Sequence, residues 1–343
     1  MTDAVDLRLS GAALAGLDRG AKAAVPSRAK SRREGLVEST PWLDIATHAV
    51  LIVGLLLLLA PVYLTFVAAS QSLAEVMAIP SRLLPSDQLL VNLETAWTES
   101  DFGRKFLNSL ILSLGVVTGK IVIAAITAFG IVFFKHRLRM PIFWLVFITL
   151  MLPLEVRIVP TYAVAANALS PFQTILDATG ITWAVEQLSG TRIAMELNLL
   201  NSYTGLILPL VATATGTFLY RQFFLTIPDE LVEAAKMDGA GPLRFLAQIL
   251  LPLSVTNIAA LATIMFVYSW NQYLWPLLVI TDPAYGVVAV ELGKLVPNMH
   301  STGGEIPRWN VAMAGTLIVM IPPILVVILM QRWFVRGLIN TDK

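Results

Sequence analysis

Pro228-Asp229-Glu230-Leu231-Val232-Glu233-Ala234-Ala235-Lys236-Met237-Asp238-Gly239-Ala240-Gly241-Pro242 is the polar interruption around which the chain is organised. It lies between two apolar runs, each long enough to cross a bilayer. Proline is tolerated in the first turn of a helix, and an acidic side chain there satisfies free N–H groups and the helix dipole, so Pro228 and Asp229 predict a helix start. Ala234 and Ala235 keep one side of that short helix slim. Gly239 permits a left-handed turn that a residue with a Cβ resists. Pro242 then restarts a second, largely apolar helix that ends near Leu251-Pro252. The pattern predicts helix, tight glycine turn and helix, lying at a membrane surface.

Composition agrees with a membrane setting. The 343 residues are 56% hydrophobic and only 14% charged, against roughly 25% charged in soluble domains. A formal net charge of +1 provides no basic stripe to neutralise phosphates, which argues against a nucleic-acid-binding surface. The absence of cysteine excludes disulfides, thiolate metal sites and a cysteine nucleophile. His48, His136 and His300 are scattered without metal-ligand spacing. No H-E-x-x-H, no G-x-S-x-G and no carboxylate–histidine cluster on one helix occurs, so nothing suggests covalent chemistry. No G-x-x-x-x-G-K-[ST] occurs either, so ATP-driven work by this chain requires an ATPase on another polypeptide.

A membrane span needs about 20 mostly apolar residues. Six runs qualify, at about 45–69, 106–134, 140–165, 201–225, 255–280 and 310–331. The fold expected is therefore all-α and polytopic, with residues 1–43 as a flexible cytoplasmic arm and 44–343 as the transmembrane domain. Placing the N-terminus inside leaves sixteen Lys/Arg in the cytoplasmic intervals and six in the opposite loops. That asymmetry puts both termini and the 228–242 stretch in the cytoplasm. Of the opposite loops, 70–105 is long and acidic and includes Trp97. Segment 167–200 carries the pattern of a short amphipathic helix around Thr182 to Leu188, and 282–308 holds Gly303-Gly304.

Charge within an apolar run is a functional hypothesis in itself. The clearest case is Pro153-Leu154-Glu155-Val156-Arg157-Ile158-Val159-Pro160, where two prolines are expected to break the helix. Arg157 lies eighteen residues past Arg139, about 27 Å along a helix and so near the outer side of the hydrocarbon. Its guanidinium suits a bidentate anionic ligand; pairing with Glu155 to fix helix packing is the other reading. Lys120 lies close enough to the inner face for its stem to snorkel, a ligand role being the other reading. Asn108, Ser109 and Ser113 share a helix face, lining a path or bonding helix to helix. Trp270-Asn271-Gln272-Tyr273-Leu274-Trp275-Pro276 offers amides and flat aromatics suited to a polyol, or an interfacial belt and packing.

Glu233-Ala234-Ala235, Asp238-Gly239-Ala240 and the later Leu251-Pro252 resemble the EAA loop of ABC importer permeases. The resemblance implies that Glu233, Ala234, Ala235, Asp238 and Gly239 form a coupling helix docking into a cleft of a cytoplasmic ATPase. Trp270 to Tyr273 with Thr281-Asp282 looks like the fifth-span signature of the carbohydrate class, which includes the maltose permease. Phe147 to Pro153 with Glu155-Val156-Arg157, Arg221-Gln222-Phe223-Phe224 and Met330-Gln331-Arg332 resemble, within that class, the permeases of sn-glycerol-3-phosphate importers. These stretches span most of residues 41 to 343. The likeness implies a transport subunit rather than an enzyme, in a bacterial inner membrane. It further implies a heterodimer with a second permease subunit, two copies of a cytoplasmic ABC ATPase that hold ATP and Mg, and a periplasmic substrate-binding protein. Glu155, Arg157, Asn271, Gln272 and Tyr273 are the expected substrate path. Two departures stand out: the arm is long, and 169–197 looks like an outer-loop insertion. A permease for a neutral sugar or another polyol phosphate, and an ion-coupled secondary carrier, are the rival readings.

Overall fold

The computed structural model describes residues 41–340 apart from Ser81, Met151, Ile193, 212–213 and 296–307. The expected arm up to residue 40, and Gly303-Gly304, thus lie outside the described residues. By contacts the chain forms two compact units, 1–59 and 60–343.

The chain is all-helical, with no strand among the described residues. In order the helices are α1 (Pro41–Ser70), α2 (Leu73–Val76), α3 (Leu89–Glu99), α4 (Phe102–Phe133), α5 (Arg139–Leu150), α6 (Leu154–Ala166), α7 (Ser170–Ala178) and α8 (Ile181–Ser189). There follow α9 (Tyr203–Val211), α10 (Thr215–Phe224), α11 (Asp229–Met237), α12 (Pro242–Phe245), a π-helical turn (Leu246–Leu250) and α13 (Leu251–Leu253). The last are α14 (Val255–Trp270), α15 (Leu274–Val279), a 3₁₀ turn (Pro283–Tyr285), α16 (Val288–Leu295) and α17 (Trp309–Asn340).

Three stretches are continuous, long and apolar enough to cross a membrane: Trp42–Ser70, Phe102–Phe133 and Trp309–Trp333. Two bent pairs raise the number to five if each is one span: Tyr203–Val211 with Thr215–Phe224 at 45°, and Pro242–Leu253 with Val255–Trp270 at 77°. The expected run 140–165 is divided into α5 and α6. Pro153 caps α6 in extended geometry, whereas Pro160 sits inside α6 without interrupting it, so only the first of the two expected breaks forms. The run 255–280 is divided after Trp270, where the Asn271 side chain turns back to the Val267 carbonyl at 2.9 Å and ends α14.

Three apolar clusters hold the larger unit together. The first joins Ala124, Ala128 and Phe129 of α4 to Tyr220 and Phe224 of α10, Ala235 of α11, Phe245, and Leu261 and Met265 of α14. The second gathers Ala69, Ala96, Phe102, Phe266, Trp270 and residues of α17. The third joins Leu112 and Val116 of α4 to Leu206 and Leu210 of α9, Trp275, Val279 and, partly buried, Ile158 of α6 and Tyr268 of α14. Helix α4 contributes to all three. Its neighbours approach very closely: a Cβ on Gly216 of α10 would stand 2.7 Å from Ala124 Cβ and 3.1 Å from Leu261 Cδ2. A larger residue there would push α10 off both α4 and α14.

Candidate functional site

The polar interruption folds as a helix, a glycine turn and a second helix, as the sequence predicts. Pro228 is the residue before α11 rather than its first turn, and no side chain caps the start; Asp229 and Glu230 occupy the first turn, where they favour the dipole. The end is closed by backbone alone. Ala240 N–H donates to Ala235 O at 2.9 Å and Gly239 N–H to Lys236 O at 3.0 Å, the paired bonds of a Schellman termination with the left-handed residue at Gly239, φ 71°. Ala235 is buried while Glu233, Ala234 and Asp238 are exposed. The helix thus presents one side to the protein and holds Leu231, Glu233, Ala234 and Met237 outward.

The inward side is a shallow apolar seat. Val232, Ala235 and Ala240 face Phe129, Phe133, Phe134 and Phe245 around a pocket of about 250 Å³. Phe129 and Phe133 each pack against Phe245, with ring centroids 6.4 and 5.5 Å apart. Beyond it the chain re-enters the bundle. Pro252 cannot donate to the Gln248 carbonyl, and the turn ahead of it widens, Leu251 N–H bonding to Leu246 O. The buried Ser254 hydroxyl donates to Leu250 O at 2.6 Å, and the 77° bend follows. The Leu251-Pro252 pair is therefore where the surface segment turns into α14.

The five residues expected along a substrate path fall at two breaks. Glu155 is exposed. Arg157 is half-buried, and its carbonyl accepts the Thr161 hydroxyl at 2.7 Å. Asn271 and Gln272 are spent in bonding back to their own helix, at 2.9 and 3.4 Å. Tyr273 is 45% exposed and packs on Gly293, where a Cβ would meet its ring at 2.6 Å. Helix α15 lies against α6, so the helices that follow the two breaks are neighbours. The flanking tryptophans are core residues rather than a belt. Trp270 is stacked on Phe266 and donates to Val319 O at 3.0 Å, and Trp275 donates to Gly205 O at 3.2 Å.

Lys120 does not snorkel. It is 1% exposed, with Nζ 5.9 Å from the centre of the Tyr268 ring. Asn108 and Ser109 bond to the polypeptide beyond α15. Asn108 Nδ2 donates to the carbonyls of Ala284 and Gly286 at 2.9 and 2.8 Å, and Ser109 Oγ accepts from Val288 N–H at 2.8 Å. Ser113, on the same helix, has a buried hydroxyl with no hydrogen-bond partner.

The expected insertion 169–197 contains a helical hairpin, α7 and α8 turning at Gly180 with φ 74°. The expected helix at Thr182 to Leu188 is α8. Asn167 closes the base, its side-chain oxygen accepting from Leu169 and Leu197 N–H at 3.1 and 3.2 Å. Segment 70–105 is organised too. Ser72 and Glu75 form a reciprocal capping box, and the Ser72 backbone N–H and hydroxyl hold the Glu75 carboxyl below its ordinary 4.5.

Comparison with known proteins places these features in context. A family model described as "Binding-protein-dependent transport system inner membrane component" matches residues 120–340. The sn-glycerol-3-phosphate transport system permease protein UgpE of Yersinia pestis bv. Antiqua is 44% identical over 314 residues, covering 90% of this chain and 100% of the relative. UgpE of Escherichia coli O6:H1 is 45% identical over 317 residues with the same coverage. Among solved structures, a chain of a bacterial ABC transporter involved in the import of the acidic polysaccharide alginate superposes with a TM-score of 0.67. The match covers 88% of this chain and 99% of that one at 20% identity. A chain of the alginate transporter in complex with its pentasaccharide-bound periplasmic protein gives 0.54, covering 84% and 92% at 16% identity. At such identities the structures speak for the fold alone.

Proposed function

The chain belongs to the family of binding-protein-dependent inner-membrane transport components, and on that premise we propose that it is the permease subunit of an ATP-driven importer of sn-glycerol-3-phosphate. The observation that carries the substrate is identity of 44–45% running through the whole length of permeases for that ester. The chain does no chemistry. It forms half of an alternating-access pathway, with a second permease subunit completing the other half.

In this reading six spans cross the membrane, with α5–α6, α9–α10 and α14–α15 each serving as a broken span, and both termini lie in the cytoplasm. Helix α11 is the coupling helix. Exposed Glu233, Ala234 and Asp238 meet the cleft of a cytoplasmic ABC ATPase, two copies of which hold ATP and Mg, while Ala235 and Gly239 fix the helix in its seat. A periplasmic binding protein delivers the substrate from the other side. Glu155, Arg157, Asn271, Gln272 and Tyr273, around the breaks before two contacting helices, border the route.

The test is reconstitution of this chain with its partner permease, ATPase and binding protein in proteoliposomes. ATP-dependent uptake of labelled sn-glycerol-3-phosphate is expected, with a P-loop ATPase copurifying. Uptake of a neutral sugar instead would replace the substrate, and uptake driven by an ion gradient without any ATPase would remove the class.

A further inference from the structure

The last turn of α10 holds a guanidinium that no acceptor among the described residues meets. Arg221 is half-buried there, its guanidinium carbon 4.1 Å from the centre of the Phe143 ring on α5, well inside the range of a cation–π contact. Its Nε is buried without a hydrogen-bond partner, and it joins no ion pair among the described residues. A ring face attracts the cation but accepts no fork of hydrogen bonds, so the donors of Arg221 are left for something outside the chain.

The surroundings carry charge of one sign. Arg139 lies one turn before Phe143 on α5, on the same face of the helix at a spacing that brings Cβ atoms to about 5–6 Å. It too is in no ion pair among the described residues. Lys135 and Arg137 precede it in the link from α4, and neither 134–148 nor 202–228 contains an acidic residue. One turn further into the span the contact becomes apolar: Phe147 meets Phe218 with ring centroids 5.9 Å apart. Beside these two rungs Trp144, Leu145 and Ile148 of α5 are each more than half exposed. A cationic rung at the end of the span followed by an apolar one is the order of headgroup and chain in a bilayer leaflet.

We propose that Arg221 and Arg139 form a binding site for an anionic phospholipid of the cytoplasmic leaflet, an assignment that rests on the orientation given above. Arg221, backed by Phe143, meets the phosphodiester as a fork, and Arg139 adds a second charge one turn nearer the water. The acyl chains run along Trp144, Leu145 and Ile148. A zwitterionic lipid brings its own ammonium into a cluster that is already cationic, so the site selects against it. The site bears on transport through what α10 supports. Phe224, three residues past Arg221, packs on Phe133 at 5.9 Å and belongs to the cluster that seats Ala235 of α11. A lipid that steadies the end of α10 steadies the coupling helix with it.

The experiment purifies the assembled importer from membranes containing phosphatidylglycerol and counts the lipid it retains by native mass spectrometry. Arg221→Gln and Arg139→Gln should assemble in normal yield and retain at least threefold less phosphatidylglycerol. Arg221→Lys should keep more than half, and Lys135→Gln, at an exposed lysine of the same link, should keep all. In proteoliposomes, ATP hydrolysis stimulated by loaded binding protein should run at least threefold faster with one-third phosphatidylglycerol than in pure phosphatidylcholine, a difference that Arg221→Gln loses. Undiminished retention by Arg221→Gln overturns the site, as does an equal loss in Lys135→Gln, which marks diffuse attraction to a basic surface. If Arg221→Gln and Arg221→Lys both fail to assemble, the arginine serves packing and the assignment falls. Release of the retained lipid by inorganic phosphate gives the site to a free anion instead. The orientation is read separately, because the chain has no cysteine: labelling of Arg137→Cys by an impermeant maleimide from outside intact cells overturns the orientation, whatever lipid is retained.

Discussion

Gly239 allows a prediction whose size comes from backbone geometry alone. It holds φ 71° at the end of α11, and a Cβ built there meets nothing within 4 Å. A substitution therefore incurs no clash inside this chain; the cost is that of forcing an L-residue into the left-handed region. That is about 1–2 kcal/mol for alanine and towards the top of a roughly 1–3 kcal/mol range for a β-branched residue. One to two kcal/mol is a factor of about 5–30 in a local equilibrium. It falls on two hydrogen bonds, Ala240 N–H to Ala235 O and Gly239 N–H to Lys236 O, which orient α11 before the chain turns at Pro242. Gly239→Val is expected to insert normally while losing uptake and substrate-stimulated ATP hydrolysis; Gly239→Ala should lose less. Gly239→Asn separates backbone from bulk, because asparagine is larger than alanine yet visits the left-handed region more readily. Reconstituted uptake should follow Gly, Asn, Ala, Val in falling order. Normal uptake by Gly239→Val, or a loss in Gly239→Asn equal to that in Gly239→Val, refutes the reasoning.

Glu233 is exposed on the outward side of α11, so Glu233→Arg should weaken recovery of the ATPase in pull-downs and lower transport by reversing a charge at the contact; unchanged recovery with normal transport would make it a solvated helix residue. A Cβ at Gly205 would collide with the Leu199 carbonyl oxygen, a backbone atom that cannot swing aside. Gly205→Ala should thus lower the yield of folded complex by a strain on the order of 1–3 kcal/mol or more, read by fluorescence-detected chromatography. Glu75 is held below 4.5 chiefly by the Ser72 backbone N–H. Its contribution to the segment after α1 is complete above pH 4.5 and is lost as the pH falls through the depressed value. Protection of the Ser72 amide, taken relative to its intrinsic exchange rate, should fall on acidification and, at neutral pH, in Glu75→Gln; no change in that variant would count against the tie.

Much of this architecture could be read from residue order because its signals are local. A glycine between a short polar helix and a proline specifies a Schellman end from its neighbours alone, and Asp238-Gly239-Ala240 forms one. Apolar runs likewise mark α1, α4 and α17. Tertiary geometry decided the rest. Pro153 and Pro160 look alike in the sequence, yet only the first interrupts the helix, because Pro160 falls within a turn that the flanking residues continue. Asn271 and Gln272 look like ligands in an apolar run, and only the structure shows that their amide nitrogens also bond back to carbonyls four residues earlier, where α14 ends. Lys120 is buried where its place in the chain suggests snorkelling, because a snorkelling lysine and a buried one share the same one-dimensional context. What distinguishes them is the glycine on a different helix, Gly216, that lets α10 close over the lysine stem.

Helix α4 joins the features on which transport is proposed to depend. At one end Phe129 and Phe133 make the seat of α11; near the middle Lys120 faces Tyr268; toward the other end Asn108 and Ser109 hook the backbone at Ala284, Gly286 and Val288. An unbroken helix of 32 residues is about 48 Å long and moves nearly as one body. Pivoting by about 10° at Asn108 would carry Phe129 by roughly 5 Å and Lys120 by roughly 3 Å, at 1.5 Å per residue. Arg157 belongs to a different helix, set off from α5 by the break at Pro153, and need not follow. A shift of 3 Å exceeds the tolerance of a charge-assisted hydrogen bond, which operates at about 2.7–2.9 Å. Displacement of α11 by an ATPase would then move Lys120 relative to α6 and alter the polar contacts along α4. That relation is why a change at the turn residue Gly239 is expected to be felt along α4 as well as at α11.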